Sequence, residues 1–472
     1  MNQNQYYWDI SKQKYIAYFK DTQEIQIVDK EQIKRDFFSD DPKNWKAIKD
    51  ILFLDKEIIK SRYFTFSPFK PEEWKANGHI YKNTYIKTNI QKKVQEEIKK
   101  GVENQKKDFI FLSKYPHINA LLQNLIPLQE QREYFLNWFS YILATNKKTR
   151  TAILLRGIPG TGKGVFWQQI ISYYYGENFT LTLDNDSLKS NFTPRGLDRV
   201  MFVLYNEIKG DFRDGNAMYE KLKMHISDDK IRIEEKGVQA LESDNHFNTI
   251  LFSNHKTPLQ IQGGDRRYSI FSTRSRKLRD VALEDFNETE VQFIENIQKE
   301  RDDFLINLSC YRYDSVKATT CLDTEEKEAI YRSSMTKIEI LADKIRNLDE
   351  NYLVNELVEI AESTENIEDL FKDIKITTYY DNQKLNLEKT ISELFAEMKD
   401  SLIDNAYCRT STLVLYYRLF VERNADMSKI GKHLTEHIGV TNSNGRIKGQ
   451  RARVRVIKEF QDKNYVSKFL PF

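Results

Sequence analysis

The chain has 472 residues, 40% of them hydrophobic and 30% charged, with 28 Phe and 26 Tyr; this composition excludes disordered and fibrous classes. A formal net charge of +3 excludes a uniformly basic or acidic protein. Glycine is scarce, with 17 residues where average usage gives about 33.

With only 9 Pro besides, the chain is expected to be largely helical and, at this length, to form about two to four folding units. Cys310, Cys321 and Cys408 are too few and too far apart for a disulfide framework or a CxxC zinc site. They read as reduced core thiols of a cytoplasmic protein. Met1 to Lys14 lacks the basic and apolar regions of a secretory signal. No run reaches the roughly 18 apolar residues of a membrane span, so no membrane partner is expected.

In chain order, residues 1–90 hold short aromatic and β-branched runs broken by Asp-Pro and Ser-Pro steps, which predict a small α+β region. Residues 91–147 turn helical: Leu121, Leu122, Leu125 and Ile126, then Tyr134, Phe135, Trp138, Phe139 and Ile142, recur at three and four residues. This predicts a collar-like helical subdomain. Residues 148–278 alternate apolar strand runs (Thr151–Leu155, Val200–Tyr205, Thr249–Ser253, Tyr268–Ser272) with helical stretches, the pattern of a parallel α/β sheet. Residues 279–405 read as charged amphipathic helices. Glu339 to Asp404 carries 17 acidic and 7 basic residues, whereas Ala406 to Phe472 carries 13 basic and 5 acidic. The near-neutral total therefore hides an acidic segment followed by a compact basic module, 406–472.

Four of the 17 glycines fall within Gly157-Ile158-Pro159-Gly160-Thr161-Gly162-Lys163-Gly164, between an apolar strand and a helical run that begins at Val165. That context predicts a phosphate-binding loop. Glycines allow the backbone amides to turn inward and approach closely, and Lys163 reaches the β- and γ-phosphates of ATP. One departure is Gly164, where the loop pattern places a Ser or Thr hydroxyl on Mg²⁺.

Further on, Arg199 to Tyr205 is an apolar strand ending in Asn206-Glu207. In ATPases of this kind a strand beside the loop ends in an acidic pair, one member near Mg²⁺ and the other activating water. Glu207 is the expected general base, and Asn206 offers magnesium only an amide carbonyl. No side-chain cluster of metal ligands is evident, so Mg²⁺ is expected to come with ATP, near Asn206 and Glu207. The strand before Ser253 ends in Asn254, placed to bond the γ-phosphate and the lytic water. After Gly263-Gly264 come Asp265-Arg266-Arg267, candidates for a guanidinium contributed across a subunit interface.

These four segments, in this order and over about residues 110–280, resemble the superfamily 3 helicases of viruses, phages and mobile elements, within the wider AAA+ class. The likeness is to the phage primase-helicase branch, whose loop commonly reads GxxGxGKG. The resemblance implies a central AAA+ ATPase domain. It matches Asn254 in Phe252-Ser-Asn-His-Lys-Thr-Pro258 to the family's sensor, and Arg266 to its arginine finger with Arg267 in reserve. Between the second and third strands, Lys230-Ile-Arg232-Ile-Glu-Glu-Lys236-Gly237 alternates like a hairpin. In the resembled family such a hairpin carries a lysine into a central channel, which implies Lys236, with Arg232 and Lys230 behind it, as contacts to single-stranded DNA.

The tail places Arg446, Lys448, Arg451, Arg453, Arg455 and Lys458 after the helical run Met427 to Ile438. Helix, turn and basic strand pair are compatible with a winged-helix-like DNA-binding module on origin duplex DNA. The expectation is thus an ATP-dependent DNA helicase or replication initiator of a phage, plasmid or mobile element, working as a homo-hexamer with ATP and Mg²⁺. The region before residue 110 is too short for the primase domain often fused to such helicases, so a primase would be separate. Two alternatives are a nucleotide-gated origin-binding scaffold with little unwinding, and an AAA+ ATPase acting on RNA or protein.

Overall fold

A computed structural model describes residues 5–10, 13–19, 24–37, 59–100, 109–190, 194, 196–209, 215–233, 241–355, 387–422, 425–447, 450–466 and 468. The chain divides into two compact units, Met1–Tyr331 and Arg332–Phe472.

The first unit opens with a mixed six-stranded sheet of β1 (Gln5–Asp9), β2 (Lys14–Phe19), β3 (Glu24–Val28), β4 (Ile59–Thr65), β5 (Glu73–Ala76) and β6 (His79–Asn83). Its order is β3-β2-β1-β4-β6-β5, with β4 parallel to both β1 and β6 and the other pairs antiparallel. The tight β5–β6 hairpin turns on Asn77 and Gly78, both at positive φ, as a two-residue turn matched to strand twist requires. Ile33 of the helix Lys30–Phe37 packs with Tyr6, Ala17 and Ile59.

Helices Asn89–Lys99, Pro116–Leu125 and Gln129–Thr145 follow. In the last, Tyr134, Phe135, Trp138, Phe139 and Ile142 are all buried, as their spacing predicts. They cover one face of an all-parallel sheet built from β7 (Ala152–Arg156), β8 (Thr180–Leu183), β9 (Phe202–Tyr205), β12 (Asn248–Ser253) and β13 (Tyr268–Ser272). A hairpin, β10 (Lys230–Ile233) with β11 (Leu241–Asp244), is inserted before β12. The sheet order is β13-β7-β12-β9-β8.

Side chains alternate across this sheet. Ile153, Leu155, Phe202, Leu204, Ile250, Phe252 and Phe271 join the helical core on one face. Ala152, Leu154, Val203, Tyr205, Leu251, Tyr268 and Ile270 meet Leu222 and Ile226 of helix Gly215–Ser227 on the other. A parallel sheet covered on both faces gives near-continuous apolar strands, which is why these runs stood out in the sequence.

The expected break at residue 279 is not where the chain divides. Helix Glu290–Ser309 presents Phe293, Ile297, Phe304, Leu305 and Leu308 on one stripe, and that stripe is buried in the same core as Trp138, Phe139 and Phe166. The helices between 278 and 331 therefore belong to the first unit.

In the second unit, helices Lys337–Asn347, Leu387–Asn405, Thr410–Phe420 and Met427–His433 share a core with Val440 and Ile457 of a three-stranded antiparallel sheet. Its strands β14 (Tyr407–Arg409), β15 (Val440–Ile447) and β16 (Gln450–Ile457) are ordered β14-β16-β15. All three cysteines are free thiols, but only Cys408 is a core residue; Cys310 and Cys321 are half-buried. Among the described residues no helix is long and apolar enough to cross a membrane.

Candidate functional site

β7 ends at Arg156, and the chain turns through 157–162 into a helix that runs on from Lys163 to Tyr175, with a π-helical stretch over 167–172. Gly160 and Gly162 have φ of 83° and 101°, left-handed values that L side chains avoid. Gly157 is needed for space: a Cβ there would lie 1.8 Å from Thr273 Oγ1. At Gly162 a Cβ would fall 2.5 Å from Leu121 Cδ1. Gly164 differs, since a Cβ there meets nothing within 4 Å.

Gly157→Ala and Gly164→Ala are thus expected to shift stability in opposite directions. The first overpacks against Thr273 at a cost of about 1–3 kcal/mol, and the second replaces a helical glycine for a gain of up to about 1 kcal/mol. Thermal melting of the two variants reads the contrast.

The loop is held from behind by residues that no sequence motif marks. Asn124 Nδ2 donates to Thr161 O at 2.9 Å and to Arg276 O at 3.0 Å. The amides of Arg274 and Leu278 donate to Asn124 O (2.9 Å) and Gly160 O (2.7 Å). The segment 273–278 and the helix Pro116–Leu125 thereby set the curvature of the loop. Asn124 is 2% exposed; an unremarkable Asn among helical leucines, it carries no local signal of this role.

Lys163 is 8% exposed. Its Nζ donates to Gly157 O (2.9 Å), Ile158 O (3.0 Å) and Asn254 Oδ1 (3.1 Å). Burial lowers its pKa to about 8, because the ammonium loses water without gaining an anion. A bound polyphosphate stabilises the charged form and raises that pKa. Above about pH 8 the bound state then holds more protons than the free state, so polyphosphate affinity is expected to fall as pH rises. Calorimetric titration at several pH values, in buffers of different ionisation heat, reads both the fall and the proton uptake.

Three strand ends converge here. β12 lies between β7 and β9, so Asn254 emerges between the loop and the end of β9. There the chain changes partner: Asn206 N donates to Leu183 O at 2.8 Å, and Ile208 N to Phe252 O at 3.1 Å. Glu207, between them, takes φ 54°, an uncommon left-handed value for this residue type and one that recurs at functional sites. Ser253 Oγ donates to Ile208 O at 2.6 Å and fastens the step. Gly160, Gly162, Lys163, Gly164, Asn206, Glu207 and Asn254 line one cleft of about 600 Å³, a size suited to a small ligand. Pro159 and Val165 also line it, as do Gln168, Glu177 and Glu290, which sequence reading did not single out. Among the described residues no group of three or more His, Cys, Asp or Glu is placed to hold a metal ion.

The two arginines part company. Arg267 is tied inside its own chain, with Nη1 2.9 Å from Asp265 Oδ2 and Nε donating to Ser227 Oγ at 2.8 Å. Tyr219 OH donates to the same Asp265 carboxylate at 2.6 Å. Arg267, the reserve finger candidate, is thus paired within its own chain. Arg266 is exposed. It precedes β13, whose Tyr268 pairs with Ala152 at the start of β7, so it sits at the sheet edge opposite the loop. Five residues, 267–271, lie between it and Ser272 beside Arg156, six residue steps that span up to about 20 Å.

Of the hairpin residues, Lys230 is exposed and paired with Asp244 at 2.7 Å, and Arg232 is exposed. Lys236 lies outside the described residues, as does Lys448. In the basic module Arg446 and Arg453 are exposed. The β15–β16 register sets Arg446 opposite Arg451. Arg455, expected on the DNA-binding surface, is instead 8% exposed. It lies beneath helix Met427–His433, where a Cβ on Gly431 would come 3.5 Å from its Nη2.

Residues 155–267 match a protein family described as of unknown function, DUF5906; the match runs from the end of β7, through Glu207 and Asn254, to Arg267. The chain is 25% identical over 312 residues to the DNA primase-polymerase of Nitratiruptor phage NrS-1, covering 65% of this chain and 40% of that protein. Its fold is similar to the apo structure of the NrS-1 C-terminal region, with a TM-score of 0.66 at 18% identity and 96% of each chain covered. An A-form apo structure of the same region gives 0.65 at 19% identity, again with 96% of each chain covered. This chain is thus similar in sequence to a phage primase-polymerase and shares the fold of that protein's C-terminal region.

Proposed function

We propose that the chain is an ATP-dependent DNA helicase, or helicase-like replication initiator, of the AAA+ superfamily 3 type, serving a phage or mobile element. The observation that carries this reading is the direct bond from Lys163 to Asn254 in a cleft that also contains Glu207. Three strand ends supply a phosphate anchor, a water-orienting amide and a carboxylate within one site. Loop amides and Lys163 hold the phosphates; Asn254 orients the γ-phosphate and the attacking water; Glu207 takes the water's proton. Arg266, too far from its own cleft, completes a neighbour's in a ring, which supports the homo-hexameric reading.

The second unit supports a DNA-binding role. Helix Leu387–Asn405, β14, two helices, and the β15–β16 ribbon follow the order of a winged helix, with Arg446 and Arg453 on the ribbon for phosphates. Likeness to a phage primase-polymerase supports replication as the setting, and priming is assigned to a separate module.

The site's residues fit ATP better than they fit magnesium. Gly164 has no hydroxyl and Asn206 no carboxylate, and this favours a second reading, a nucleotide-gated origin-binding scaffold with little unwinding. ATP turnover of the full chain, measured alone and with single-stranded DNA, duplex DNA and RNA, separates the readings. Stimulation by single-stranded DNA is expected. RNA-only stimulation would assign another polymer, and binding without turnover would favour the scaffold.

A further inference from the structure

Two positions that ordinarily present oxygen to magnesium in a phosphate-loop cleft are altered in this chain, and both line the cleft. Gly164 is the second residue of the helix, in open space where an added Cβ would meet nothing within 4 Å. Asn206, at the end of β9, has a neutral amide where a carboxylate would bind the cation. Magnesium is a hard ion that is usually held through one or two carboxylates together with substrate phosphates, and it sheds water reluctantly. The carboxylates that line the cleft, Glu177, Glu207 and Glu290, come from three separate elements. The anion-binding parts are in place by comparison: Lys163, buried and poised on the loop carbonyls, and left-handed glycines that turn the loop.

Resting on the reading of this cleft as an ATP site, we infer that the chain gives the nucleotide's magnesium no hydroxyl at Gly164 and no carboxylate at Asn206, only a neutral amide oxygen, so that nucleotide binding is nearly independent of divalent cation. Lys163 and the loop supply the affinity, and any metal that arrives with the nucleotide keeps its water on the Gly164 side.

The test titrates the full chain with fluorescently labelled ADP and ATP, in magnesium and in EDTA at equal ionic strength. Wild-type dissociation constants are expected to differ by less than about fivefold between the two conditions. The Gly164→Ser/Asn206→Asp double variant, with hydroxyl and carboxylate restored, is expected to bind at least about tenfold more tightly in magnesium than in EDTA. Gly164→Ser alone, at a position with open space, serves if the double variant does not fold. A wild-type loss of about fivefold or more in EDTA overturns the inference. Variants that remain indifferent to magnesium overturn its assignment to these two positions. No binding in either condition, with Lys163→Ala indistinguishable from wild type, refutes the ATP reading itself.

Discussion

A Glu207→Gln chain is expected to bind ATP as wild type does and to turn it over about 10²–10⁴-fold more slowly, the usual contribution of a positioned general base. The substitution keeps the shape and removes the charge. Because Glu207 is exposed in the cleft, no buried partner is left behind to destabilise the fold. The left-handed backbone is the same in both variants, so the comparison isolates the carboxylate. Single-turnover measurement with saturating ATP, beside a nucleotide-binding titration, separates chemistry from affinity. A variant with unchanged turnover would sink the base assignment, whereas loss of both binding and turnover would move Glu207 into nucleotide holding. Asn206, its neighbour in sequence, is an amide and cannot take over as the base.

The same strand shows how far a linear reading reaches. Apolar runs at 151–155, 200–205, 249–253 and 268–272 were legible because a parallel sheet buried on both faces leaves almost no polar position within a strand. The polar residues that end those runs therefore mark the edge where the site forms. β8 escaped because Thr180-Leu-Thr-Leu183 is four residues long, at the sheet's edge, and half polar. The spacing of the glycines was legible too, but not what crowds them. Thr273, Leu121 and Asn124 reach the loop from elements that are remote in sequence, and no local pattern encodes a long-range contact. Arg455 was misjudged for a related reason. Within Arg451-Ala-Arg453-Val-Arg455 every second residue is alike, so composition marks the strand as a basic face, while the helix above β16 buries Arg455 and Arg453 stays exposed. The break at 331 was hidden because the stripe of helix 290–309 is indistinguishable in sequence from one that would close a separate bundle.

Arg266→Ala is expected to leave nucleotide binding intact and to lower turnover on the order of 10³-fold, the effect of losing an arginine finger. The informative experiment is a mixture. A chain carrying Arg266→Ala retains Lys163, and a chain carrying Lys163→Ala retains Arg266. If the finger acts across an interface, combining two inactive chains creates hybrid sites in which one supplies the loop and the other the guanidinium, and turnover reappears. If Arg266 acts within its own chain, the mixture stays inactive; if it has no role, the Arg266→Ala chain is active by itself. Geometry favours the first outcome, since Arg266 precedes β13 at the sheet edge opposite the loop, up to about 20 Å along the chain from the loop edge. Arg267→Ala is the necessary contrast. Its partner Asp265 has a fully buried side chain, and removing one member of a buried pair costs about 3–5 kcal/mol. That variant is expected to melt early and to lose turnover through unfolding, without rescue in any mixture. Adjacent arginines with the same charge would then be separated by their partners: one neutralises a carboxylate inside its own unit, and the other remains exposed for a second subunit.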